Sequence, residues 1–249
     1  DLQLGKEERI NYDPIDRIFD VYNTIEIEKI MTKEEYKKAS GAGNTKSINR
    51  DIRLAELIID FIKIVSPGGN PVDKFYLARD LKLDGPIEEI EGTLNKLKSE
   101  NKSAITDAVL VTLVVAKTDI ARNEPKQIMR DLKNHVLKNP TILDYYLDSV
   151  DDKIDDIIDA FTEKPILSAN DLKANYAENN SLYKTSERLM KSTNNLIRKG
   201  SEDEKRTKTL VELESIRDRL FDISPSDFNE LTQDEKIDAR DILSEIQDV

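Results

Sequence analysis

The chain has 249 residues and a formal net charge of −12, and 38% of its residues are hydrophobic while 35% are charged. This charge argues against a protein whose whole surface binds nucleic acid or an anionic membrane, although it is compatible with a local basic patch. The absence of cysteine excludes disulfides and cysteine-ligated metal centres. Eight glycines and eight prolines are few for an all-β fold. The sequence therefore predicts an all-α, multi-helix bundle of about ten to twelve helices.

The first elements are predicted from their caps. Residues 1–11 form a polar tail, and Pro14 begins a short helix after Asp13. Thr32 and Glu35 match a capping box and predict a second helix from Lys33. A long amphipathic helix follows over residues 45–65, since its apolar side chains recur at intervals of three and four, and Ser66-Pro67-Gly68-Gly69 ends it.

Residues 72–102 predict a pair of helices joined by a turn at Asp84-Gly85-Pro86, the second helix running from Ile87 to about Ser99. Together with the preceding helix, residues 48–102 resemble the helix-turn-helix core of winged-helix domains. That resemblance implies that the second helix of the pair enters the DNA major groove.

The residues at the start of this second helix oppose DNA contact. Glu88, Glu89 and Glu91 lie where phosphate and base contacts are needed, and carboxylates repel a polyanion. They instead favour the positive end of the helix dipole. Internal packing or protein binding is therefore the preferred interpretation of this helix.

Residues 104–120 are apolar nearly throughout, and their valine and threonine content leaves a strand, such as the wing of a winged helix, as an alternative. Their length and spacing favour a core helix. Glu124-Pro125 then begins a helix that runs to about Lys138, and Asn139-Pro140 ends it.

A heptad-like seam follows, and it predicts either core packing or self-association. Its members alternate at spacings of four and three: Leu143, Leu147, Val150, Ile154, Ile157 and Phe161. Lys164-Pro165 closes this helix and is the predicted domain boundary, which gives helical subdomains over residues 12–164 and 165–249.

The next long helix carries a basic face opposite its leucines and is predicted to stop at Gly200, a residue typical of helix C-termini. Five basic residues and one acidic residue, Glu187, lie between Lys184 and Lys199. Polar residues among them complete a mixture that contacts phosphates. The predicted nucleic-acid contacts are Lys184, Arg188, Lys191, Asn195, Arg198 and Lys199.

The basic face has a second interpretation, in which it pairs with an acidic helix of the same fold. Seven aspartates cover the polar side of the helix that carries the heptad-like seam: Asp144, Asp148, Asp151, Asp152, Asp155, Asp156 and Asp159. A calcium-binding EF-hand is excluded there because no glycine occurs between Gly92 and Gly200.

The C-terminal region predicts two further helices. Ser201 and Glu204 match a capping box, after which Leu210, Leu213, Arg217 and Leu220 form a seam with Ile216 beside it. Another such box, at Thr232 and Glu235, begins the last helix.

No catalytic signature accompanies these helices. The loop at residues 40–47 lacks the glycine that a phosphate-binding loop needs directly before its lysine, and His135 is the only histidine. We expect no enzymatic activity, no cofactor, no metal and no membrane span.

The leading hypothesis is a non-enzymatic helical adaptor or assembly protein associated with a nucleic-acid-handling complex, of a regulatory or viral packaging type. It would contact phosphates through residues 184–199. The alternative is a structural or protein-binding helical module that self-associates without nucleic acid. In either case we expect protein partners or a homo-oligomer, in the cytoplasm or within a viral particle.

Overall fold

A computed structural model describes residues 13–41, 44–97, 100–224 and 226–247, and over these it is all-helical with no strand. The predicted tail at residues 1–11 lies outside the described residues. Eleven α-helices follow one another along the described chain: α1 Pro14–Tyr22, α2 Lys33–Ser40, α3 Thr45–Val65, α4 Tyr76–Asp80, α5 Asp84–Lys96, α6 Lys102–Ala116, α7 Pro125–Leu132, α8 Pro140–Glu163, α9 Ala169–Glu178, α10 Asn180–Asp222 and α11 Gln233–Gln247.

Short segments of other helix types extend these elements. Asn23–Ile27 and Lys133–Leu137 are π-helical continuations of α1 and α7, while Pro71–Lys74 and Asp227–Asn229 are 3-10 turns. The all-α fold class predicted from composition is confirmed.

Side-chain caps begin several of these helices, including the one that the sequence predicts at Thr32. Thr32 accepts a hydrogen bond from the Glu35 amide while the Glu35 carboxylate accepts one from the Thr32 amide, so both arms of the capping box are formed. The side chains of Asn139 and Ser168 each accept one hydrogen bond from an amide in the first turn of α8 and α9, respectively. These caps satisfy amides that have no partner within the helix.

Helix α6 lies at the centre of the main core. Its residues 108–116 are all buried, so it is covered on every side, and it contacts α3, α5, α7 and α8. The Tyr146 hydroxyl of α8 donates to the Ala108 carbonyl at 3.0 Å and lies 2.7 Å from the Thr112 hydroxyl. Residues 104–116 are therefore helical, and the strand alternative for this segment is wrong.

The described chain divides into two compact units between Gly200 and Ser201. The sequence placed the boundary at Lys164-Pro165 instead. Residues beyond that point belong to the same core as those before it: the Ile166 amide donates to the Val65 carbonyl at 3.0 Å, and Tyr176 packs on Phe161 with ring centres 6.2 Å apart.

Gly200 does not end a helix. It is buried inside α10, and a methyl group added to it would lie 1.9 Å from the carbonyl oxygen of His135 in the second π-helical segment. Glycine is needed at this position because two backbones approach each other closely, and not because a helix ends there. Consequently Ser201 and Glu204 lie within α10 and the capping box predicted for them does not exist.

Candidate functional site

The turn of the helix-turn-helix-like unit lies three residues before its predicted position. Helix α4 ends at Asp80 and α5 begins at Asp84, so Asp84-Gly85-Pro86 forms the first turn of α5. The intervening Lys82 has a φ of +49°, a conformation that favours glycine. The Lys117 ammonium donates to the Lys82 carbonyl at 2.8 Å and holds this turn in place.

Lys117 keeps its ammonium largely out of water to make this contact. Burial lowers the pKa of Lys117 to about 8, although the nearby Asp84 carboxylate favours the charged form. The turn is therefore sensitive to protonation of one side chain at mildly alkaline pH.

Helix α5 is held on one flank by ion pairs to α3. Arg50 lies 3.0 Å from Glu88, and Arg53 bonds to the buried Glu91 carboxylate. These contacts explain why carboxylates occur where a DNA-reading helix would carry basic residues. They join two helices of the same core.

The other flank of α5 is held by the segment that contains α7. Both Arg130 and Lys133 lie 2.8 Å from the Glu89 carboxylate, and their hydrogen bonds lower the pKa of Glu89 to about 2. With α3 on one side and α7 on the other, α5 exposes only Gly92, Asn95 and Lys96. This helix is a structural element of the core with little surface for a partner.

The predicted nucleic-acid contacts on α10 all reach the surface. Lys184, Arg188, Lys191, Asn195, Arg198 and Lys199 are exposed. Within the described part of the chain, Lys184, Arg188 and Lys191 form no ion pair. Lys199 lies 4.5 Å from the centre of the half-exposed Tyr145 ring and forms a cation–π contact with it.

The aspartates of α8 do not neutralise this basic face. All seven are exposed, and the one ion pair that they form with described residues joins Asp152 to its neighbour Lys153 at 2.9 Å. Intramolecular pairing with residues 184–191 is therefore not the role of the acidic face.

The heptad-like seam of α8 belongs to the core. Leu143, Val150, Ile157 and Phe161 are buried and Leu147 and Ile154 are half-buried, all packed within the main apolar cluster. Of the two interpretations of this seam, the structure therefore supports core packing, because the chain's own helices cover it.

Most of the exposed large apolar side chains among the described residues lie in the second unit, residues 201–249. None of the side chains that the structure describes there is buried. Eight large apolar side chains are 40–60% exposed: Leu210, Val211, Leu213, Ile216, Ile223, Ile237, Ile242 and Leu243. In the first unit, which is four times longer, six described residues of this kind are exposed. Sequence analysis identified the seam around Leu213 but gave no reason to expect it uncovered.

Among the described residues, no helix has the length and apolarity that a membrane span needs. Comparison of the chain with protein-family models, with curated proteins and with solved structures found no match.

Proposed function

We propose that this chain is a non-enzymatic adaptor or assembly protein that binds another protein through the helices of its second unit. The observation that supports the proposal is that eight large apolar side chains of that unit are 40–60% exposed. Single exposed apolar residues are ordinary on protein surfaces. Helices in water, however, draw most of their stability from burying an apolar face, and no described side chain of this unit is buried.

Site-specific photo-crosslinking in the cells that make the protein tests this proposal. A photoreactive residue in place of Ile216 or Ile242, both in the second unit, should form a covalent product with the same protein, because both side chains are about half exposed. The same residue in place of Lys46, an exposed position of the first unit, is the control. A crosslinking pattern that is equal at all three positions contradicts the proposal.

A second candidate function is binding of a nucleic-acid backbone by the basic face of α10. It is favoured by one observation: Lys184, Arg188 and Lys191 are exposed along one helix face without an ion pair in the described chain. Three cations on one helix face suit a row of phosphates.

The salt dependence of DNA binding tests this second function. If three phosphates are contacted, a variant with Lys184, Arg188 and Lys191 changed to glutamate should lower the slope of log affinity against log salt by about 3. Lys46→Glu, which removes a cation from an exposed position elsewhere, is the control. An equal loss in both variants, or no binding at low salt, rules out this face.

A further inference from the structure

The C-terminal part of α10 carries apolar residues at the spacing of a two-stranded coiled coil. Leu213, Ile216, Leu220 and Ile223 follow intervals of three, four and three, and Ile223 comes directly after the last helical residue. Leu213 is 55% exposed, Ile216 is 48% exposed and Ile223 is 45% exposed, while Leu220 is half-buried. This seam spans about 15 Å of helix and is accessible to a partner of similar length.

The charged residues of this segment lie either on the outer side of the helix or beside the seam. Glu214, Asp218 and Asp222 occupy positions that point away from a helix packed on it. Glu212 and Arg217 occupy the flanking positions that face such a helix across the seam. The second unit has fifteen acidic and seven basic residues, and three of the acidic ones therefore lie on the outer side of this helix.

We infer that the partner of this seam is a second copy of the chain, packed on it in parallel. The inference rests on the proposed function and names the partner. In a parallel pair, Glu212 of one copy lies beside Arg217 of the other, and two-fold symmetry repeats this pair of opposite charges on both sides. The seam thus complements itself in charge as well as in apolar contact.

The antiparallel arrangement is disfavoured by the same residues. Matching all four apolar positions in that orientation places Arg217 opposite Arg217 and Arg219 opposite Arg219, so like charges meet on both flanks. Parallel packing avoids both contacts.

Glu212 and Arg217 can rearrange at little cost to form the pair between copies. In the single chain Arg217 bonds to Asp218 at 2.7 Å, and Glu212 lies 3.8 Å from Lys208. Both are exposed surface pairs, which contribute little to stability.

Sedimentation equilibrium of the full chain from about 5 to about 500 µM tests the inference, because this range detects dissociation constants in the micromolar region. We expect a monomer–dimer equilibrium that Ile216→Asp weakens about a hundredfold or more, since each dimer would bury two carboxylates. Val211→Asp is the matched control: Val211 is 58% exposed on the outer side of the same helix, and its substitution should leave the equilibrium unchanged.

Charge reversal tests the orientation. Glu212→Arg or Arg217→Glu alone should weaken the dimer about tenfold, and the double variant should recover most of that loss. The lack of native cysteine allows a second test: Thr209→Cys, one heptad before Ile216 on the seam side, should form a disulfide between parallel copies, whereas Ser215→Cys on the outer side should not.

A monomer at every concentration overturns self-association. If Ile216 then crosslinks to a different protein in cells, the adaptor function stands and only the identity of the partner fails. A dimer that Ile216→Asp leaves intact assigns dimerisation to another surface and also overturns the inference. If Glu212→Arg and Arg217→Glu each leave the dimer unchanged, the parallel arrangement is overturned, because only that arrangement places these two residues beside each other.

Discussion

Replacing Gly200 by alanine places a methyl group where the first unit has no room for one. The added carbon would lie 1.9 Å from the His135 carbonyl oxygen and 2.8 Å from its carbonyl carbon. A carbon atom and an oxygen atom that are not covalently bonded to each other stay about 3.3 Å apart. The two backbones must therefore separate by more than 1 Å, because neither obstructing atom belongs to a side chain that can turn away.

Two opposing effects set the size of the change. Alanine in place of glycine inside a helix ordinarily stabilises a protein by about 1 kcal/mol. Overpacking ordinarily costs about 1–3 kcal/mol, and a clash between two helical backbones belongs at the upper end of that range. We expect Gly200→Ala to lower the free energy of unfolding by about 2 kcal/mol.

Urea unfolding followed by circular dichroism measures this effect. Gly92→Ala is the matched control: Gly92 is an exposed glycine inside α5, and a methyl group added there meets nothing within 4 Å. It should stabilise the protein by about 0.5–1 kcal/mol. If Gly200→Ala is as stable as Gly92→Ala, the close approach of α10 to His135 is refuted.

Three further substitutions test side chains of the core and its flanks. Glu89→Gln should lower the free energy of unfolding by about 1–2 kcal/mol at pH 7, a figure reduced for solvent screening. Because the pKa of Glu89 in the folded chain, about 2, lies below its ordinary value of 4.5, this loss of stability should shrink as the pH falls from 4.5 towards 2. A loss of stability that is constant over urea titrations at pH 7, 4 and 2.5 contradicts the ion pairs. The stability of Lys117→Met relative to wild type should be highest below pH 8, where the wild-type chain buries a charge. This relative stability should decline between pH 8 and 10.5, because the lysine loses its proton in the folded chain first. A difference independent of pH refutes the burial of that amine. Tyr146→Phe should lower the free energy of unfolding, measured by thermal unfolding, by about 1–2 kcal/mol, since it leaves the Thr112 hydroxyl and the Ala108 carbonyl without their buried partner. Tyr145→Phe, which changes a half-exposed neighbouring ring, is the control and should stay within about 0.5 kcal/mol of wild type.

Features decided by neighbouring residues were predictable from the sequence. The capping boxes at Thr32–Glu35 and Thr232–Glu235 both form, because each needs only four successive residues. The span of α3 and the proline start of α7 follow from equally local rules. Exposure of the basic face of α10 also followed from helical spacing alone.

Features decided by residues far apart in the chain were not predictable in this way. Gly200 matches a helix end by local pattern, yet the carbonyl of His135, 65 positions earlier, determines its role. The turn before α5 lies at Lys82 because Lys117 bonds to it from another helix. The α8 seam and the seam around Leu213 have the same spacing, but the first is covered by the chain's own helices and the second is not. Periodicity identifies a face that must be buried without saying which chain buries it.

The distribution of buried residues has a consequence for how this chain can evolve. Every buried apolar side chain among the described residues occurs at or before Met190. Substitutions after Gly200 therefore cannot open a cavity in the core of the first unit. Residues 201–247 can therefore change one at a time without removing any of the buried apolar side chains of the first 200 residues.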